Sequence, residues 1–265
     1  MHKGVSILAI ALALCSSIAS AADTPIDPKL PTLFIIGDST VKNGRDNGDQ
    51  GLWGWGTPLA SLFDKTRINI QNRALGGTSS RSFQTSDLWD KVLADVKSGD
   101  FVMMQFGHND GGPLDDPARA RGTIRGNGEE TKEVDNPISK KHEVVHTYGW
   151  YIRKFISDTK AKGATPIVCS LIPRNDWKDG KVNRASASYG KWAAEAAQQG
   201  GALFIDLNAI IANHYDQLGQ EKVTKDFFVT EHTHTSLAGA KLNAQCVVEG
   251  LRGLKDCPLT AYLLP

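Results

Sequence analysis

With 265 residues, 40% of them hydrophobic and 22% charged, the chain can bury one substantial core and lies within ordinary globular usage. Lys and Arg number 30 against 29 Asp and Glu, a formal net charge of +1, so no electrostatic footprint marks nucleic acid or an anionic membrane as a partner. A local basic patch would not show in such a sum.

The chain opens MHKGVSILAIALALCSSIASAADTP, a basic start followed by an apolar run from Val5 to Cys15 and then the small-x-small triplet Ala19-Ser20-Ala21. That order reads as a signal peptide over residues 1–21, since the run is shorter than the roughly 20 apolar residues a spanning helix needs. The mature protein, residues 22–265, is then expected to be soluble and secreted, extracellular or periplasmic, with no membrane partner. In such a compartment disulfides persist, and Cys246 and Cys257 bracket a short helical stretch near the carboxyl end, so a bridge between them is expected. Cys169 lies within the apolar run TPIVCSLIP and reads as a buried small hydrophobe. No Cys-x-x-Cys occurs.

Five short apolar runs follow in order: LFIIG (33–37), RINIQNRAL (67–75), FVMMQFG (101–107), TPIVCSLIP (165–173) and ALFIDL (202–207). Helical periodicity occupies the intervals near 57–64, 87–97, 147–162, 187–199 and 236–254. Nearly continuous apolar strands separated by helices predict an α/β fold: a three-layer α/β/α sandwich with a central parallel sheet of about five strands, flavodoxin-like. Residues 111–146 form a polar insert rich in Gly, Pro and charge, long enough to be either functional or disordered, and placed to wall a cleft. Nothing repeats and no linker divides the chain, so a single domain over 22–265 is expected.

Ligands of such sheets gather beyond the carboxyl ends of the strands. There the sequence places Gly37-Asp38-Ser39, Gly76-Gly77, His108-Asn109-Asp110 and, near the end, Glu231-His232-Thr233-His234. A serine hydroxyl becomes a nucleophile when a base takes its proton and a third group orients that base. Ser39, His234 and Glu231 offer these three parts, His being the side chain suited to proton transfer near neutrality. The backbone N–H of Ser39, that of Gly77 and the side-chain amide of Asn109 can stabilise a developing oxyanion. An alternative reading of His108, His232 and His234 is a metal site.

These blocks in this order resemble the SGNH (GDSL-type) hydrolases. GDSTV, WGWGTPL, NRALGGTSSRSF, FGHND, EETKEV, VVHTYGWYIRKF and EHTHTSLAGA resemble rhamnogalacturonan acetylesterases, carbohydrate esterase family twelve, over residues 33 to about 257. The resemblance implies Ser39 as nucleophile, Gly77 and Asn109 as oxyanion donors with the Ser39 N–H, and His234 as base. The family usually has Asp where this chain has Glu231, so the orienting group could instead be a backbone carbonyl or Asp226.

Trp53 and Trp55, close after the serine turn, are expected to wall the cleft, and Arg81, Arg174 and Lys178 lie where they could pair with galacturonate carboxylates. The expected activity is that of a carbohydrate acetylesterase acting on an acetylated polysaccharide, most specifically acetylated rhamnogalacturonan of pectin, as a monomer with no cofactor and no metal. Acetylated xylan or small acyl esters are the alternative substrates. An inactive carbohydrate-binding protein is the alternative of another class.

Overall fold

The apolar runs divide their side chains between two cores. In the computed structural model, which describes residues 26–42 and 51–265, strand β1 (Thr32–Gly37) sends Leu33 and Ile35 to one face and Phe34 and Ile36 to the other. Strand β2 (Asn69–Asn72) follows, and β3 (Phe101–Gln105) repeats the division, with Phe101 and Met103 on the first face and Val102 and Met104 on the second. Successive side chains of a strand point to opposite faces, so a strand covered on both sides has to be apolar throughout. The expected signal segment, Cys15 included, lies outside the described residues.

Between β3 and the next sheet strand stand two short antiparallel strands, β4 (Thr131–Asp135) and β5 (His142–His146). Strand β6 (Thr165–Cys169) rejoins the sheet, the ribbon β7 (Trp177–Lys178) and β8 (Lys181–Val182) lies beyond it, and β9 (Leu203–Ile205) completes the sheet. The five sheet strands run in the order β2-β1-β3-β6-β9, all parallel, as expected for a flavodoxin-like α/β sandwich.

One core is covered by α1 (Gly56–Leu59), α6 (Leu207–Leu218), α7 (Gln220–Phe227) and α8 (Leu237–Gly253), through Leu59, Ile211, Val223 and Leu251 among others. The other is covered by α2 (Ser80–Thr85), α3 (Leu88–Asp95), α4 (Tyr148–Ala161) and α5 (Tyr189–Gly200), through Phe83, Trp89, Phe155 and Ala193. Phe155 is wholly buried and its ring stacks on Phe106 at 5.4 Å, contacts that contribute about 1.5–3 kcal/mol for such a side chain.

Three helices escape the sequence periodicity. Helix α2 starts at Ser79, whose hydroxyl accepts the Ser82 N–H at 3.0 Å while the Ser82 hydroxyl accepts the Ser79 N–H at 2.8 Å, a reciprocal cap built without the usual Glu or Gln. Helix α6 begins at Leu207, within the run expected to be strand. Asp206 caps it by accepting the Ala209 N–H at 3.2 Å, so the strand ends at Ile205. Helix α7 follows directly after Gly219.

The polar insert is folded. Its hairpin β4–β5 is fastened by Arg81, which is fully buried and donates Nε and Nη2 to Glu143 Oε2 at 3.0 and 2.7 Å and Nη1 to the carbonyls of Leu114 and Gly122 at 2.8 and 2.9 Å. Arg81, expected to meet a substrate carboxylate, is thus committed to internal partners. Its planar fork matches a carboxylate and two carbonyls at once.

The bridge expected between Cys246 and Cys257 is not formed: both cysteines are buried free thiols. Cys246 lies on α8 with its sulfur close to His214 and Glu249, whereas Cys257 begins the final turn, its carbonyl accepting the Thr260 hydroxyl at 2.7 Å. Burial pushes the Cys246 thiol up to about 12 and that of Cys257 upward, which disfavours the thiolate that disulfide exchange requires. Cys169 is buried in the core, as its apolar run predicts.

Candidate active site

The strand order brings the candidate loops together. Strand β1 lies between β2 and β3, so the segments that leave these three strands emerge side by side at the sheet's carboxyl edge. The Leu75 N–H donates to the Gly37 carbonyl at 3.0 Å and holds the second loop against the turn that carries Ser39.

That turn is tight because glycine begins it. A Cβ at Gly37 would lie 2.5 Å from both the Gln105 carbonyl and Val41 Cγ2, closer than any side chain tolerates. The turn closes through the N–H groups of Val41 and Lys42, which donate to the Asp38 carbonyl at 3.1 and 3.0 Å. Among the described residues it is a single turn, and the next helix is α1 at Gly56.

A buried chain of hydrogen bonds locks this turn. Trp55 Nε1 donates to Gln105 Oε1 at 2.7 Å, Gln105 Nε2 donates to the Thr40 hydroxyl at 2.7 Å, and that hydroxyl donates to Asp38 Oδ1 at 2.7 Å. Trp55 is therefore fully buried and belongs to the core, not to the cleft wall, because its indole N–H is spent on Gln105. Trp53 is half-buried, and its backbone pairs with Thr235, the Trp53 N–H donating to the Thr235 carbonyl at 2.8 Å.

Through that pairing the serine turn meets the loop before α8. His234 Nε2 lies 2.6 Å from Ser39 Oγ, and His234 Nδ1 lies 2.7 Å from Glu231 Oε1. With the carboxylate accepting the Nδ1 proton, Nε2 is left to accept the serine hydroxyl. The longer Glu side chain folds back onto its own loop: Oε2 accepts the Thr233 N–H at 2.8 Å, and Oε1 also accepts the His234 N–H. Burial alone would raise the Glu231 carboxyl, but these two N–H groups and the imidazole outweigh it and hold the group below its ordinary value. Asp226, the alternative carboxylate, is paired with Lys222 at 2.7 Å. The loop is tied elsewhere by the Asn175 N–H on the His232 carbonyl at 2.8 Å and the Ser236 N–H on the Phe227 carbonyl at 2.7 Å.

Candidate donors lie on the loops that adjoin this turn; Thr78 ties the second loop to it, its hydroxyl donating to the Gly37 carbonyl at 3.2 Å. Among the described residues, neither the Ser39 N–H nor the Gly77 N–H has a hydrogen-bond acceptor. Asn109 Nδ2 donates one proton to the Thr78 carbonyl at 2.8 Å, which fixes the amide plane and leaves its second proton for a ligand. Gly77 has φ +84°, a conformation that suits glycine.

His108 sits behind this arrangement with both ring nitrogens buried and without a hydrogen-bond partner among the described residues. Burial pushes its imidazole down to about 4, so it stays neutral beside the loop that carries His234. It lines a pocket of about 180 Å³ with Leu171, Pro173, Arg174 and Asn183. Arg174 is exposed at the rim. A larger pocket of about 310 Å³ beside α5 contains none of Ser39, His234 and Glu231. Among the described residues, His108, His232 and His234 do not gather a set of metal-ligand atoms; the set that lies close together is His214, Cys246 and Glu249, on α6 and α8.

A sequence profile of the GDSL-like Lipase/Acylhydrolase family matches residues 35–242. The chain belongs to this family. This GDSL-like acylhydrolase is 31% identical over 221 residues to a protein of Emericella nidulans named rhamnogalacturonan acetylesterase, across 83% of this chain and 84% of that protein. It is 27% identical over 236 residues to a Bacillus subtilis protein named probable rhamnogalacturonan acetylesterase YesY, across 88% of this chain and 97% of that protein. In fold it is similar to YxiM of Bacillus subtilis, with a TM-score of 0.68 and 24% identity over 84% of this chain; the match spans 56% of that structure, a little over half its length. It is likewise similar in fold to Axe2, an acetylxylan esterase from Geobacillus stearothermophilus, with a TM-score of 0.57 and 18% identity over 85% of this chain and 95% of that one.

Several residues that shape the candidate site have no role assigned from sequence. Gln105 and Thr40 carry the buried chain behind Ser39, and the one signal was a polar residue inside the apolar run FVMMQFG. Asp110 Oδ1 accepts the Ser80 hydroxyl at 2.5 Å and the Ser80 N–H at 3.1 Å, which seats the start of α2 against the third loop. Arg121, from the insert, donates Nη1 to the Gly77 carbonyl.

Proposed function

We propose that this protein is a secreted serine esterase that removes acetyl groups from acetylated rhamnogalacturonan through an acetyl-serine intermediate. The observation that carries the reading is the continuous hydrogen-bonded chain Ser39–His234–Glu231, with the unpaired N–H groups of Ser39 and Gly77 and the second amide proton of Asn109 on the adjoining loops. Ser39 Oγ attacks the acetyl carbonyl and passes its proton to His234 Nε2, while Glu231 holds the imidazolium. The oxyanion is met by the N–H groups of Ser39 and Gly77 and by the Asn109 amide, donors of a kind that each contribute about 10²–10³ in rate. Collapse breaks the acetyl C–O bond, and the departing sugar oxygen takes the proton from His234. Water, deprotonated by His234, then attacks the acetyl-enzyme, releasing acetate and restoring Ser39.

The names of the two relatives favour a pectic substrate. Arg174 at the pocket rim and the half-buried Trp53, bridged to Thr235, are the substrate contacts this reading assigns. Residues 1–21 serve as the export signal and residues 22–265 as one monomeric hydrolase domain. No helix among the described residues is long and apolar enough to cross a membrane. The completed hydrogen-bond chain favours an enzyme over a protein that only binds carbohydrate.

The test is acetate release from acetylated rhamnogalacturonan fragments, acetylated xylan oligomers and an aryl acetate. Faster turnover of the pectic fragments is expected, with a loss of about 10⁶-fold in kcat for Ser39→Ala. Equal rates on all three would reject the pectic assignment, and wild-type turnover by Ser39→Ala would reject the nucleophile.

A further inference from the structure

Gly76-Gly77 is the least restrained part of the site by composition, since two glycines leave the backbone free to rotate. The reaction nevertheless needs the Gly77 N–H aimed at one point. The fold supplies two restraints on consecutive carbonyls just beyond it. The Thr78 carbonyl is held by the Asn109 amide at 2.8 Å, and the Gly77 carbonyl is held by Arg121 Nη1. A Cβ on Gly77 would lie 3.4 Å from that same nitrogen, so the guanidinium packs directly on this residue.

Arg121 is itself placed by its neighbours. The Gly122 carbonyl accepts from Arg81 Nη1 at 2.9 Å, and the Thr123 N–H donates to the Asp110 carbonyl at 2.9 Å. A Cβ at Gly122 would lie 2.0 Å from the Gly112 carbonyl, which keeps this crossing of the insert closed. Among the described residues, the Gly77 carbonyl is the one hydrogen-bond acceptor that Arg121 has. The side chain is therefore directed at the glycine loop; among the described residues it forms no ion pair, although the charges of Asp38, Asp110 and Asp116 lie near enough to act on it.

We propose that Arg121 is a positioning residue for oxyanion stabilisation: by holding the Gly77 carbonyl it fixes the backbone that presents the Gly77 N–H to the reacting carbonyl. This inference rests on the reading of Ser39 as nucleophile. The glycine turn is closed across its base by the Thr78 hydroxyl on the Leu75 carbonyl at 2.8 Å, and Arg121 adds a hold on the Gly77 carbonyl inside the turn, which makes residues 111–146 a working part of the site. Arg121 stays outside the bond-making steps and acts through Gly77.

The experiment compares wild type, Arg121→Ala and Arg121→Lys on a neutral aryl acetate, so that recognition of a polysaccharide does not enter. Arg121→Ala is expected to lower kcat about tenfold to a hundredfold with KM within about twofold. Affinity for an aryl boronate, which forms a tetrahedral adduct with the serine, should fall by a similar factor. Arg121→Lys, which can still donate to the carbonyl, should recover most of the loss, and free guanidinium should restore part of the activity of Arg121→Ala. Wild-type kcat in Arg121→Ala, or a loss of kcat that spares boronate affinity and is not rescued by Lys or guanidinium, overturns the proposal. Ser39→Ala assayed in parallel separates the two readings: turnover by that variant removes the nucleophile, whereas an inactive Ser39→Ala beside a fully active Arg121→Ala removes only the role of Arg121.

Discussion

Two regions frame the site in different ways. The serine turn and the histidine loop owe much of their shape to partners a few residues away, Asp38 with Thr40 and Glu231 with His234. The insert owes its shape to a partner far along the chain, Arg81, which lies 62 residues from Glu143 and fastens three separate points of the segment. Local restraints survive as spacing in the sequence, whereas a distant restraint exists only after the chain has folded. The first kind should fail at the chemistry when it is broken, and the second should fail in stability before it fails in catalysis.

The sharpest way to probe the local kind is Glu231→Gln. The amide keeps the length of the side chain but can turn an N–H toward His234, favouring the tautomer that cannot accept the serine proton. A loss of about 10⁴-fold in kcat is expected with little change in melting temperature. Glu231→Asp keeps the charge and shortens the reach by one methylene, so its kcat should fall between the two. Near-wild-type kcat for Glu231→Gln would show that the loop orients His234 by its backbone alone.

What the sequence made legible follows the same division. The inner sheet strands β1, β3 and β6 are legible because burial on both faces forces apolar runs, whereas the edge strand β2, NIQN, shows itself only by its apolar neighbours. Ser39, Gly77 and Asn109 follow from the convergence of strand ends, and His234, which lies between α7 and α8, follows from the motif resemblance. Trp55 was misplaced since nothing local distinguishes an indole that donates to Gln105 from one that faces a sugar. Arg81 was misplaced for a related reason: a charge on a strand-end loop reads as solvent-facing unless its buried partner is known, and Glu143 is far off in sequence. Helix α6 has no counterpart in the sequence reading, and its first residue, Leu207, falls in the run expected to be strand, because Asp206 ends the strand and caps the helix with no loop between. The insert's hairpin has an exposed, charged strand, TKEVD, whose one buried residue is Val134, so little periodicity announces it.

Removing the distant restraint tests the second half of the comparison. Arg81→Met leaves Glu143 in a nearly dry site without its cation, and such a loss costs about 3–5 kcal/mol. A fall in the unfolding free energy of that order is expected, with backbone amides of residues 111–146 exchanging faster than those of the sheet. The double variant Arg81→Met, Glu143→Met removes both charges and should recover much of the loss. If Arg81→Met melted like the wild type, the insert would have to be held by its hairpin alone.

Asp110 ties the insert to α2, since its side chain accepts from Ser80 at the start of that helix while its carbonyl accepts the Thr123 N–H of the insert. Burial pushes its carboxyl from 3.8 up to about 7; the nearby Asp38 charge adds to the rise, and the hydrogen bonds from Ser80 oppose it. The folded protein therefore retains a proton that the unfolded chain has already released, and the stability this contributes is present in full below about 3.8 and lost as pH rises through about 7. Asp110→Asn keeps an oxygen for the Ser80 N–H and has no proton to lose. Relative to wild type, the variant should gain on the order of 2–4 kcal/mol between about pH 4 and about pH 8, because each tenfold difference in proton affinity between the folded and unfolded chain is worth about 1.4 kcal/mol. Denaturant unfolding at several pH values reads this directly. A difference between the two proteins that stays constant over that interval would mean that Asp110 is already charged in the fold at low pH, and that the join between α2 and the insert is made by an ion.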